Sequence, residues 1–413
     1  MTKPRDRRGG TRVSAALATM LLAAATTKRD NPPGYQEDCG VSLPEPTGPY
    51  GVGTMIDRIP TSRPTADFPG GLPLTLQYWY PASRGASPFA GIPYLAEPGL
   101  EPLLVTGQYY GLDSAQLGAW LCLRSSAALN AAVADRHHPL VTLSVGLGVI
   151  RANYTSLAME LASHGSIVAV VESPLAGLML GASGRVIADT TSDLDPASHR
   201  QRVADWAGDV SYALTHLRNS RMPAMRALAA AVDWDRVGSM GHSSGGLVAI
   251  ESCARDERVR ACVNLDGGAV TPDNQPLAPF VDHGVRRPTL VIRSRPLYSD
   301  TDLAKRGLTR EQWVQRGGAG VTAWDSVASR SRARLVVAFV AGTGHMSFSD
   351  APFVMPSTIT RFGGTIIDGR RGWLIITTLV REFFSQQLGQ GREGDLERVA
   401  SQYPEVELRT LRP

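Results

Sequence analysis

The chain has 413 residues, of which 43% are hydrophobic and 19% charged, a composition that excludes a disordered or collagen-like polymer. Its net charge of +4 is matched by the first twelve residues alone, where Lys3, Arg5, Arg7, Arg8 and Arg12 face only Asp6. The rest is near neutral, which excludes a broad nucleic-acid surface built from clustered Lys and Arg, and four cysteines are too few for a disulfide scaffold.

After the basic start, residues 13–25 contain only Ser14 and Thr19 as polar side chains and end in Ala23-Ala24-Ala25, an A-x-A-like cleavage site. This pattern predicts an export signal over residues 1–27 and a secreted or periplasmic protein. Thirteen residues at helical rise cover about 20 Å against roughly 30 Å of hydrocarbon, so a membrane span is not expected. Arg7-Arg8 hints at a twin-arginine route, but Gly9-Gly10-Thr11-Arg12 matches that signal poorly, and the route stays open. In an oxidising compartment Cys39, Cys122, Cys253 and Cys262 could pair, Cys253 with Cys262 closing a short helix-to-strand connection. Small buried hydrophobes are an equal reading.

Residues 28–45 are rich in proline and read as a linker. Strand-like runs follow at 51–59 and 72–80. Residues 81–135 mix Pro, Gly and aromatic side chains and read as an excursion over the domain face. Within it Phe89, Tyr94, Leu100, Leu103, Leu104, Trp120 and Leu121 suit a lipid-facing lid or, more simply, ordinary packing. From residue 139 strand and helix alternate. Residues 140–145 form a short apolar run, Tyr154, Leu157 and Leu161 recur at helical spacing, and Gly165 ends that helix. Residues 167–171 are apolar throughout, as a strand covered on both faces requires. Val203, Trp206, Val210, Leu214 and Leu217 make a stripe over four turns. Strands at 236–240, 261–265, 289–292 and 335–340, a helix at 244–254 and a last helix at 373–388 complete the pattern. Such alternation predicts an α/β domain over residues 46–390, with a mainly parallel sheet and helices on both faces. Residues 391–413 read as a charged tail with a short surface helix.

Between the strand at 236–240 and its helix lies Gly241-His242-Ser243-Ser244-Gly245, a G-x-S-x-G sequence. The bare pattern is weak. Its place at a strand end, opening a helix whose first N–H groups favour developing negative charge, makes Ser243 a candidate nucleophile. A serine hydroxyl needs a base, and the base needs an acid to fix its tautomer. His345, just beyond the apolar run at 335–340, suits the chain order serine, acid, histidine. The other histidines read more plainly: His164 at a helix end, His199 and His216 on a helical surface, His137, His138 and His283 in loops, and His242 turned away from the neighbouring hydroxyl. Asp266 directly follows one strand, and Asp300 or Asp302 lies beyond the next. Spacing favours Asp266 modestly. Backbone donors for an oxyanion are expected from the N–H of Ser244 and, in Gly146-Leu147-Gly148, from that of Leu147.

With these residues in place the chain resembles the plasma-type platelet-activating factor acetylhydrolases, or lipoprotein-associated phospholipases, of the α/β-hydrolase fold. The resemblance covers about residues 44–390. Pro46-Thr47-Gly48-Pro49-Tyr50 with Val52-Gly53-Thr54 is similar to the family's opening, and Ser144-Val145-Gly146-Leu147-Gly148 to its oxyanion loop. The helix end Leu161-Ala162-Ser163-His164-Gly165, the elbow Gly241-His242-Ser243-Ser244-Gly245-Gly246, the acid segment Val263-Asn264-Leu265-Asp266 and the histidine segment His345-Met346-Ser347-Phe348-Ser349-Asp350 carry the rest. The resemblance implies Ser243 as nucleophile, Asp266 as acid, His345 as base, and Leu147 and Ser244 as oxyanion donors. It also implies calcium-independent cleavage of short or oxidised sn-2 acyl esters of phospholipids, with transient contact to a lipid surface. Three departures stand out: Val145 where the family often has His, Ser244 where it often has Phe, and Gly267-Gly268 in place of bulkier residues.

Chemistry alone implies less, a carboxylic ester hydrolase working through an acyl-enzyme on a lipid or small ester. No H-E-x-x-H and no paired C-x-x-C appears, so neither metal nor cofactor is expected. A general secreted carboxylesterase, lipase or polyester hydrolase would keep the same serine, acid and histidine. A non-catalytic binding protein of the same fold would be expected to lack one of them.

Overall fold

A computed structural model describes residues 39–64, 68–83, 91–95, 112–135, 137–174, 176, 179–180, 186–187, 195–356, 367–389 and 391–411. The leader expected at 1–27 lies outside these residues, as do Phe89, Leu100, Leu103 and Leu104.

Ten strands form one sheet: β1 (Gly51–Pro60), β2 (Pro73–Ala82), β3 (Ala128–Leu129), β4 (His138–Ser144), β5 (Ile167–Glu172), β6 (Val232–His242), β7 (Val259–Leu265), β8 (Thr289–Arg295), β9 (Leu335–Ala341) and β10 (Val406–Leu411). Their spatial order is β10, β9, β8, β7, β6, β4, β5, β2, β1, β3. The strands from β5 to β9 run parallel, and β2 and β10 flank them antiparallel. The helices are α1 (Ser114–Cys122), α2 (Thr155–Ser163), α3 (Pro196–Asn219), α4 (Pro223–Ala231), α5 (Ser244–Arg255), α6 (Asp300–Lys305), α7 (Arg310–Ala328), α8 (Gly369–Gln387) and α9 (Asp395–Ala400). α2 packs with α8 and α3 with α5, so the sheet is covered on both faces. That sandwich explains why residues 167–171 are apolar and buried at every position: a central parallel strand has no wet side.

The chain crosses from β2 to β4, returns to β5 and then passes over to β6. This reversal leaves the loops after β4, β6, β7 and β9 at one sheet edge, the carboxyl ends of the parallel strands, where a crevice opens.

Two stretches differ from the sequence reading. The described residues of the supposed tail at 391–413, which end at 411, are part of the domain: α9 packs on α8, and β10 pairs with β9 from Leu335 to Val340. Its alternating, half-exposed residues are those of an edge strand, which resembles a polar tail until its partner is known. The supposed linker ends earlier than residue 45, since Leu43 is buried and Cys39 is bonded to Cys122. A second disulfide joins Cys253 at the end of α5 to Cys262 in β7, with Cα atoms 6.4 Å apart.

Some described side chains of the excursion pack inward. Tyr94 and Trp120 are buried edge to face at 5.9 Å, and the Trp120 indole N–H donates to the Val354 carbonyl at 2.7 Å. β3 adds a short parallel partner to β1.

Candidate active site

Ser243 sits on the turn from β6 into α5 with φ 57° and ψ −124°, a left-handed backbone that L-residues adopt only when the surroundings enforce it. The enforcement is steric. A Cβ on Gly241 would lie 2.1 Å from the Gly245 carbonyl oxygen, and one on Gly245 would lie 2.2 Å from that of Ser144, so only glycine fits on either side. The Ser243 N–H donates to the Leu265 carbonyl at 2.8 Å, fixing the turn to the end of β7.

The three separated residues singled out in the sequence meet here. Ser243 Oγ lies 3.1 Å from His345 Nε2, and His345 Nδ1 lies 2.8 Å from Asp266 Oδ2. His345 opens a short 3-10 turn just past β9, and its side chain is 40% exposed while that of Asp266 is 4% exposed. The imidazole can therefore meet a substrate, while the carboxylate is enclosed by protein groups. Asp266 also has a left-handed backbone, at φ 58°. Ser294 holds it twice, the N–H donating to Oδ1 and the hydroxyl to Oδ2, each at 2.8 Å, and Arg293 Nη1 stands 3.5 Å from Oδ1. Burial pushes the Asp266 pKa up, but the Arg293 charge, the bond to and charge of His345 and the Ser294 N–H outweigh it and hold the carboxyl well below its usual range. A buried carboxylate on Nδ1 fixes the tautomer that leaves Nε2 free to take the Ser243 proton. Asp300 and Asp302 stand apart, Asp300 on Arg310 and Asp302 in the cap of α6 with Ser299.

Leu147 lies in the loop after β4, and Ser244 is the first residue of α5. Among the described residues neither backbone N–H has a protein acceptor, so both are available to a developing oxyanion. The Leu147 loop is braced by a buried relay. The Gly146 N–H donates to the Tyr154 hydroxyl at 3.0 Å, that hydroxyl donates to His242 Nδ1 at 2.9 Å, and His242 Nε2–H donates to the His345 carbonyl at 2.9 Å. Burial first, then the neighbouring His345 charge, lowers the His242 pKa to about 3, so its ring is neutral and the directions follow from the carbonyl at one end. His242 thus ties the loop after β4 to the loop after β9, and its ring lies 4.6 Å from that of His345.

His199 departs from the surface position read for it. It is buried in the first turn of α3, with Nε2 2.9 Å from Ser244 Oγ. The signal was present: His199 precedes Val203 by four residues and so extends the apolar stripe. His138 likewise lies in β4, not in a loop. No group of three or more His, Cys, Asp or Glu side chains suited to a metal occurs among the described residues.

The model of the family "Platelet-activating factor acetylhydrolase, isoform II" matches residues 108–174 and 208–396. The chain belongs to this family. The platelet-activating factor acetylhydrolase of Gallus gallus is 25% identical over 259 residues, covering 54% of this chain and 56% of its own length. That of Cavia porcellus is 27% identical over 190 residues, 41% of this chain and 42% of its own. The chain thus spans about half the length of these curated relatives. A solved ferulic acid esterase from Streptomyces cinnamoneus superposes with a TM-score of 0.69 at 26% identity, over 89% of this chain and 99% of that one. Family membership and this neighbour agree on the α/β-hydrolase fold. Within the family match lie Leu147, Ser243, Ser244, Asp266 and His345.

Proposed function

We propose that the protein is an exported serine ester hydrolase that cleaves short or oxidised sn-2 acyl esters of phospholipids through an acyl-enzyme. The observation that carries this reading is the unbroken chain from Ser243 Oγ through His345 to the buried Asp266 carboxylate. Ser243 Oγ attacks the ester carbonyl as His345 Nε2 takes its proton, and the oxyanion is held by the N–H groups of Leu147 and Ser244. The tetrahedral intermediate collapses as His345 returns the proton to the departing alcohol. Water, deprotonated by the same nitrogen, then releases the acid and restores Ser243. No step needs a metal. The family supports the phospholipid substrate, and the signal-like residues 13–25 support export. Among the described residues no helix is long and apolar enough to cross a membrane.

A second reading has its own support. The ferulic acid esterase superposes over 89% of this chain at 26% identity, and its name supports small or aromatic esters as substrates. The deciding experiment compares, with chelator present, a short sn-2 phospholipid, p-nitrophenyl esters of rising chain length and methyl ferulate, using the protein isolated after export. Preference for the phospholipid supports the first reading, and turnover of only the simple esters moves the substrate class to the second. In either case Ser243→Ala should lose more than about a thousandfold in kcat; activity near wild type would place the nucleophile elsewhere. The exported chain should begin near Thr26, and a secreted protein that keeps Met1 would overturn the leader.

A further inference from the structure

Ser243 caps α5, whose first turn runs Ser244-Gly245-Gly246-Leu247, so the only polar side chain available there to anchor it belongs to Ser244. Ser244 Oγ lies 2.9 Å from His199 Nε2, and His199 Nδ1 lies 3.0 Å from the Leu277 carbonyl. A carbonyl only accepts, so Nδ1 carries the proton. Burial lowers the His199 pKa, the ring is neutral, and Nε2 must accept from the Ser244 hydroxyl. The bonds therefore run one way, from Ser244 O–H to Nε2 and from Nδ1–H to Leu277. Leu277 is itself tied to the loop that leaves Asp266, through its N–H on the Ala269 carbonyl at 3.0 Å. The start of α3 is fixed in turn by Asp195, which accepts the Ser198 N–H at 3.0 Å. His199 is thus the meeting point of α3, α5 and the loop beyond the acid.

We propose that His199 is a positioning residue: by fixing the Ser244 hydroxyl it aims the Ser244 N–H at the oxyanion. The inference rests on Ser243 being the nucleophile. An oxyanion donor acts through its direction, and losing one outright lowers kcat by about 10²–10³. A donor left to wander should forfeit part of that, while ground-state binding, which does not use the oxyanion geometry, should change little.

The test uses the full exported chain and p-nitrophenyl acetate, with kcat and KM measured separately for His199→Ala, His199→Gln, Ser244→Ala and the double variant. Gln can accept from Ser244 and donate to Leu277, so it should keep most of the activity. The Ala variants should each lose about 10- to 100-fold in kcat with KM within about threefold, and the double variant should lose no more than the worse single one. Additive losses, a change confined to KM, or a well-folded His199→Ala within twofold of wild type would overturn the proposal. If His199→Ala fails to fold, the comparison of His199→Gln with Ser244→Ala decides: Gln must retain activity and Ala must lose it in kcat. Ser243→Ala assayed alongside separates the two levels, since an active Ser243→Ala defeats the nucleophile assignment itself.

Discussion

Asp266 and Asp300 were both open to the sequence because each follows a strand, and the difference between them is what each touches. Asp266 is buried on His345, whereas the Asp300 side chain is 83% exposed on Arg310. Asp266→Asn should therefore lower kcat by roughly 10³- to 10⁴-fold through the wrong imidazole tautomer. Asp300→Asn should stay within about twofold in the same ester assay, and the reverse order would overturn the choice of acid. Tyr154→Phe removes one hydroxyl that serves two partners, leaving the Gly146 N–H and His242 Nδ1 without theirs. It should cost about 1–3 kcal/mol in denaturant unfolding and, with the Leu147 N–H as the proposed oxyanion donor, lower kcat by about tenfold as its loop loosens. Ser243 and His345 were legible because the elbow glycines and the chain order single them out, whereas the choice of Asp266 over Asp300 came from the family resemblance. The Tyr154, His242 and His199 contacts were not legible, because each depends on which elements the fold brings together.

At the scale of elements, what could be read in advance were the strands buried on both faces. Residues 167–171 of β5 and the whole of β9 are apolar runs rich in β-branched residues and too short for a buried helix, which favours strands. β3, two residues long, and β10, alternating and half-exposed, carry too little hydrophobic signal to be separated from loop or tail. The disulfides act at this scale as well. Cys39 and Cys122 are 83 residues apart and Cys253 and Cys262 only nine. The loop-entropy relation gives about 4.5 and 2.7 kcal/mol for the two closures. Replacing each pair by serines should therefore lower the urea midpoint more for Cys39 and Cys122, and an equal or opposite effect would show that local strain outweighs loop length.

For the whole molecule, stability against pH should carry the mark of Asp350. It lies fully buried at the start of α2, accepting from the Ser156 hydroxyl and N–H, and burial pushes its pKa up to about 7. The folded chain therefore holds a proton that the unfolded chain, with an ordinary carboxyl, has released. Stability from this group is full below about pH 4 and declines as pH rises to about 7, at about 1.4 kcal/mol for each pH step crossed between those two values. Asp266 acts with the opposite sign, contributing in the neutral range and losing its contribution only in strong acid. Asp350→Asn should flatten the unfolding free energy between pH 4 and 7, and an unchanged slope there would show that other groups set it.

The pairing of all four cysteines also bears on how the proposed ester hydrolysis is best followed. A thioester analogue of the substrate releases a thiol that a colour reagent can titrate continuously, and a protein with no thiol of its own adds no background to that signal. Reducing agents, a routine buffer component, would swamp the readout, and the Cys253–Cys262 link that they would have to reach is buried near the far end of the helix that Ser244 begins.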